Sequence, residues 1–171
     1  AEAYLARAGE LFGNDDSIVF DRVRALLELG RASDAVELLG RRARREPPER
    51  AAWRVVALSR DGQHEDAVEG MGTSDPDGVE PSLLSMARFE ASRSLREMGR
   101  TDDAEQSFRF LAESGNALAA HAAVELASML NQRENYQDAR DILDATLASS
   151  DLEDGLCRSA VYRSAWAAHR M

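Results

Sequence analysis

Lysine is absent from this chain of 171 residues, and all 21 basic side chains are arginine. That usage points to a gene rich in G and C. Acidic residues outnumber basic ones, for a formal net charge of −10. Duplex nucleic acid is therefore not expected as a partner, because binding it needs a positive face that displaces counterions. No apolar run approaches the ~18 residues of a membrane span, and no signal-peptide pattern opens the chain. A cytoplasmic location is the default expectation, although the chain opens on Ala1 rather than Met, which leaves room for an upstream segment. The single cysteine, Cys157, has no internal disulfide partner and reads as a small buried residue. Aromatics are scarce at 6% within an apolar content of 44%, so alanine and leucine carry the core. That composition suits closely packed helices better than sheets.

Signatures of chemistry are missing as well. The chain has no His-Glu-x-x-His motif, no phosphate loop, no dinucleotide fingerprint and no nucleophile elbow. His64, His121 and His169 fall on different predicted hairpins, and convergence on one metal is not expected. The carboxylates of Asp102, Asp103, Asp138, Asp141 and Asp144 read as solvated helix faces and helix starts. Neither catalysis nor a metal nor a cofactor is expected.

What the chain does contain is self-similarity. Ala35, Ala67, Ala104 and Ala139 are spaced by 32, 37 and 35 residues, and Ala3 extends the register upstream. Each of the four later alanines follows an aspartate. Nine residues before each stands a leucine: Leu26, Leu58, Leu95 and Leu130. Four residues after each stands a large apolar residue: Leu39, Met71, Phe108 and Leu143. Five residues before stand Gly30, Gly62 and Gly99, with Glu134 in the fourth repeat followed by Asn135. This spells a helical hairpin. The leucine belongs to a first helix, A, which glycine terminates. An acidic residue opens a second helix, B. The alanine permits close approach of helices, and the large residue one turn later fills the space between hairpins. One such hairpin cannot bury its apolar face alone; a stack can.

These residues resemble the tetratricopeptide repeat family, whose period is 34 residues. The resemblance spans essentially the whole chain, in degenerate form. Pro47 matches the family's closing proline in one repeat, and Trp53 lies two places from the family's tryptophan position. The implied fold is all-α: a right-handed α-solenoid of antiparallel helix hairpins.

A single repeat domain over 1–171 is expected. It would hold a half-hairpin at 1–15, hairpins at 16–47, 48–80, 81–115 and 116–151, and a terminal helix at 152–171. Helices are expected at about 2–12, 16–29, 33–45, 48–61, 64–71, 81–98, 101–113, 116–132, 136–148 and 152–170. The glycines and prolines of 70–81 shorten one B helix and read as a surface loop, or as a hinge or a partner-contacting loop. The run Arg41-Arg42-Ala43-Arg44-Arg45 reads as cations at the negative end of a B helix, or as a local contact for an acidic peptide, a phosphate group or RNA.

The resemblance also implies function. In the family, A helices line an inner surface that holds a protein or peptide. Carried over by position, the candidate groove residues are Phe20, Arg24 and Leu27 in the first repeat and Val56 in the second. Phe89, Arg93 and Arg96 follow in the third, and Ser128 and Asn131 in the fourth. Phenylalanine beside arginine would bury an apolar side chain and pair an anion, so an acidic, partly apolar peptide is expected. The alternative is that the phenylalanines pack between hairpins while the arginines pair with Asp21, Glu90 or Glu97. The chaperone-tail subtype uses a lysine-containing clamp, and Arg24 and Arg93 stand where that clamp wants asparagine. It is not supported here. Two further readings remain: an effector-binding segment of a larger regulator, and self-association through the unpaired terminal helices.

Overall fold

A computed structural model describes residues 16–40, 46–72, 77–148 and 152–171. The expected first half-hairpin at 1–15, the register mark Ala3 and the arginine run at 41–45 lie outside the described residues. Among the described residues there are nine helices and no strand. They are α1 Asp16–Glu28, α2 Ala32–Leu39, α3 Pro48–Arg60, α4 His64–Gly72 and α5 Pro81–Glu97, followed by α6 Thr101–Glu113, α7 Ala119–Gln132, α8 Tyr136–Leu147 and α9 Asp154–Arg170. The chain divides into two compact units, Ala1–Arg100 and Thr101–Met171.

The turns between A and B helices share one geometry. Arg31, Gln63, Arg100 and Asn135 each donate a backbone N–H to the carbonyl of the repeat leucine, at Leu26, Leu58, Leu95 and Leu130, all at 2.9 Å. The residue before each donor has positive φ: Gly30 at 71°, Gly62 at 82°, Gly99 at 74° and Glu134 at 63°. This is the left-handed helix stop that favours glycine, and the fourth repeat adopts it with a glutamate.

The repeat alanines do what their size requires. Ala35, Ala67, Ala104 and Ala139 are all 0% exposed. Of the large residues one turn later, Leu39, Phe108 and Leu143 are buried and Met71 is half-buried. Burying a side chain such as Phe108 contributes about 1.5–3 kcal/mol.

In the first unit, α1 packs on α2, α2 on α3, α3 on α4, and both α3 and α4 on α5. The core runs from Val19 through Trp53 and Val56 to Ala91. In the second unit, α6 packs on α7, α7 on α8, and α9 on both α7 and α8, around Phe108, Leu111, Leu126, Met129 and Leu143.

Several boundaries differ from expectation. The first B helix ends at Leu39, not near residue 45, because Gly40 takes φ 68° and stops it. Helix α4 runs one residue past its expected end, to Gly72, so Gly70 to Gly72 of the stretch read as loop are helical. At Gly70 an added Cβ would stand 3.2 Å from Val55 Cγ2, so glycine there brings α4 close to α3. Helix α5 starts at Pro81, with Glu80 as its cap: the Glu80 carboxylate accepts from the N–H groups of Ser82 and Leu83, both at 3.1 Å. These bonds, the Ser82 hydroxyl foremost, hold the Glu80 carboxyl below its ordinary range. Cys157 on α9 is half-buried rather than buried.

Candidate partner-binding face

The A-type helices of the first unit lie side by side, α1 against α3 and α3 against α5. Helix α3 is enclosed: every residue from Ala52 to Ser59 is buried. Val56 is therefore fully inside, and Phe20 and Leu27 join the same core from α1. These three candidate residues back the face rather than form its surface.

The arginines remain outside. Arg24 on α1 is exposed and lies over the ring of Trp53 of α3, 5.7 Å from its centroid. Such a cation–π contact orients the guanidinium while leaving its edge in water. Arg24 has no carboxylate partner among the described residues. Phe89 on α5 is half-buried. Arg93 Nη1 donates to Glu90 Oε2 at 3.2 Å, and Arg96 Nη2 donates to Glu97 Oε1 at 3.3 Å. Both are pairs that the packing alternative named.

In the second unit, Ser128 and Asn131 stand on α7. Ser128 Oγ accepts from Arg163 Nη1 of α9 at 2.6 Å, which ties two A-type helices together. Asn131 is buried, and its Oδ1 has no hydrogen-bond partner among the described residues.

Two buried polar groupings escaped sequence reasoning. The first centres on Glu90, which is 3% exposed on α5. Its Oε1 accepts from Arg60 Nε at 2.8 Å and its Oε2 from Arg93 Nη1. Ser59 Oγ donates to the backbone carbonyl of Glu90 at 2.9 Å and accepts from Ser94 Oγ at 2.9 Å. The Ser94 hydrogen is thus committed to Ser59, so His64 Nδ1, 3.2 Å from Ser94 Oγ, is the donor in that contact. Desolvating a carboxylate is costly, and two guanidinium groups offset that cost here. The second grouping is Arg54, buried in the middle of α3. It pairs with the largely covered carboxylate of Glu46 and donates to the carbonyls of Leu39, at 3.1 Å, and Gly40, closing the C-terminus of α2. The one available signal was at Arg54, a charged residue within the apolar run from Ala52 to Ala57; Glu90, with Arg88, Ser92 and Arg93 close by in sequence, carries none.

Elsewhere in the second unit a cleft of about 630 Å³ opens among α6, α7 and α8, walled by Ala112, Ala120, Ala123, Leu126 and Ile142, with Arg109 at its lining. Tyr136 and Trp166 meet edge-to-face at 5.6 Å, with Arg170 over both rings. The described residues contain no group of three or more His, Cys, Asp or Glu able to hold a metal ion. No helix among them is long and apolar enough to cross a membrane.

Repeated A/B hairpins with a left-handed stop after helix A define a helical-repeat fold of the TPR-like kind. Residues 89–154 match the family model described as Tetratricopeptide repeat. Among solved structures, the chain is similar to a Podosopora anserina protein assigned as a kinesin light chain with nearly identical TPR-like repeats. A form of that protein carrying one substitution superposes with a TM-score of 0.66 at 17% identity, over 89% of this chain and 84% of that one. A second structure of that protein gives a TM-score of 0.61 at 18% identity, over 99% of this chain and 88% of that one. No curated protein matches the chain. The fold is therefore an α-solenoid of TPR-like antiparallel hairpins. Repeats of this kind generally mediate protein–protein interaction and scaffolding, and their fold is typically non-catalytic.

Proposed function

We propose that the chain is a protein- or peptide-binding scaffold or adaptor that takes an acidic, partly apolar ligand along the exposed side of its A-type helices. The observation that carries this reading is the pair Arg24 and Arg93. Both occupy the same repeat position, eleven residues before the alanine, and both remain exposed in a chain of net charge −10. Exposed guanidinium groups on an acidic protein orient an acidic ligand. Half-buried Phe89 supplies apolar surface beside Arg93. Among the original candidates, Phe20, Leu27 and Val56 then act as the buried backing of that side.

The test is selection from a random peptide library on the full chain, repeated with Arg24→Glu/Arg93→Glu after circular dichroism shows that the variant is folded. Enriched peptides carrying Asp or Glu beside an apolar residue, lost with the variant, support the reading. Peptides bound equally by both proteins contradict it.

A second reading, self-association with another copy of this chain, is favoured by α9. Val161, Tyr162 and Trp166 are exposed there, at 50%, 71% and 39%. Sedimentation at micromolar concentration, with Tyr162→Glu as control, checks it: a dimer abolished by the substitution supports this reading, and a monomer in both removes it.

A further inference from the structure

Helices α3 and α5 bring three charged groups to one spot. Glu90 is almost wholly buried, while the Arg60 and Arg93 side chains that flank it keep 36% and 45% of their surface. Each arginine spends one N–H on Glu90: Nε of Arg60 and Nη1 of Arg93. The remaining donors, Nη1 and Nη2 of Arg60 and Nε and Nη2 of Arg93, make no hydrogen bond among the described residues. One carboxylate thus fixes two guanidinium groups and neutralises only one of them. Ser59 and Ser94 hold the backbone of Glu90 from below.

We infer that Arg60 and Arg93, braced by Glu90, form an oxyanion subsite that takes a single carboxylate of the ligand, an Asp or Glu side chain. The inference rests on the peptide-binding reading above and narrows it. Charge selects the ligand group. Two cations and one anion leave a residual charge of +1, which one carboxylate balances, whereas a phosphomonoester carries about −1.5 to −2 and meets an acidic chain with its surplus. Geometry selects arginine. The planar fork donates two parallel N–H bonds to a carboxylate, and a guanidinium already held by Glu90 loses less freedom on binding. Glu90 is a positioning residue here; it does not touch the ligand.

The probe is N-acetyl-aspartic acid amide, which carries one free carboxylate, titrated into the full chain at constant ionic strength. The readout is the arginine Nε–Hε nuclear magnetic resonance signals, assigned through Arg60→Gln and Arg93→Gln. Saturable shifts at Arg60 and Arg93 are expected. Each single variant should weaken binding roughly two- to fivefold, and the double variant should abolish saturation. Because each substitution takes a cation from buried Glu90, circular dichroism and a thermal melt must first show each variant folded. Glu90→Gln, if folded by circular dichroism, leaves two uncompensated cations and should turn preference towards inorganic phosphate. Unsaturable shifts, shifts unchanged in Arg60→Gln/Arg93→Gln, or tighter saturation of the native chain by inorganic phosphate would each overturn the subsite. Selected peptides that bind wild type and the Arg60→Gln/Arg93→Gln variant equally would remove the subsite and leave the scaffold reading. Saturable aspartate binding without any peptide binding would do the reverse.

Discussion

The hydroxyl of Ser33 donates to the carboxylate of Asp61, joining the start of α2 to the turn that leaves α3. The second unit repeats the link with other chemistry: Arg133 Nη2 meets Asp102 Oδ1 at 2.5 Å. Ser33 and Asp102 each stand two residues before a repeat alanine, and Asp61 and Arg133 each stand six before the next one. A helix start is thus tied to the following turn at one fixed repeat position, once by a hydroxyl and once by an ion pair.

The Ser33–Asp61 link makes stability depend on pH. The hydroxyl of Ser33, and then the Gln63 side chain, hold the Asp61 carboxyl below its ordinary 3.8. A depressed carboxylate contributes stability above its unfolded pKa and loses it as pH falls through the folded one. Ser33→Ala should therefore destabilise the chain at neutral pH by about 0.5–1 kcal/mol. The difference from wild type should hold down to pH near 3.8 and shrink below it. Thermal melts of both proteins across pH 2–7 check this. A difference that grew on acidification would contradict it.

Glu134 occupies, at φ 63°, the position that glycine fills in the other three turns. An L side chain in that region costs roughly 1–2 kcal/mol, and part of the gain from glycine is returned as unfolded-state entropy. Glu134→Gly should stabilise the chain by about 0.5–1 kcal/mol. Gly30→Ala, where space is open but φ is 71°, should destabilise it by a similar amount. Urea denaturation measures both, with opposite signs expected.

Arg54 and Glu46 form a buried pair whose side chains are 10% and 6% exposed. Removing one partner strands the other without water, a loss of about 3–5 kcal/mol. Arg54→Ala is expected in that range, because it also unpairs the last carbonyls of α2 at Leu39 and Gly40. Arg50→Ala, an otherwise similar change whose weaker partner Asp16 is exposed, should cost less than about 1 kcal/mol. Equal losses from the two variants would refute the buried-pair account.

The hairpin framework was legible because it rests on local rules. The leucine nine before each alanine proved to be the carbonyl acceptor of the turn, and the glycine five before proved to be its left-handed stop. Each depends on a few neighbouring residues. The site was only half legible. A trio spaced by four and three residues shares one side of a helix, but a repeat helix flanked by others buries much of that side. Phe20, Leu27 and Val56 turned inward for this reason, while Arg24 and Arg93 stayed out. Val56 is apolar where its exposed counterparts are Arg24 and Arg93, and the enclosure of α3 by α1, α2, α4 and α5 buries it completely. In the sequence Glu90 is only one of three possible carboxylate partners for the arginines. Its burial follows from packing against α3, which no spacing within α5 reveals.

The central claim, that ligand lies on the A-type helices, is tested most directly by mapping a selected acidic peptide onto the chain through amide and arginine side-chain resonances. The account predicts shifts concentrated at Arg24, Phe89, Arg93 and Arg96, with α2 and α4 undisturbed. Shifts centred on α2 and α4, with Arg24 and Arg93 unmoved, would contradict it.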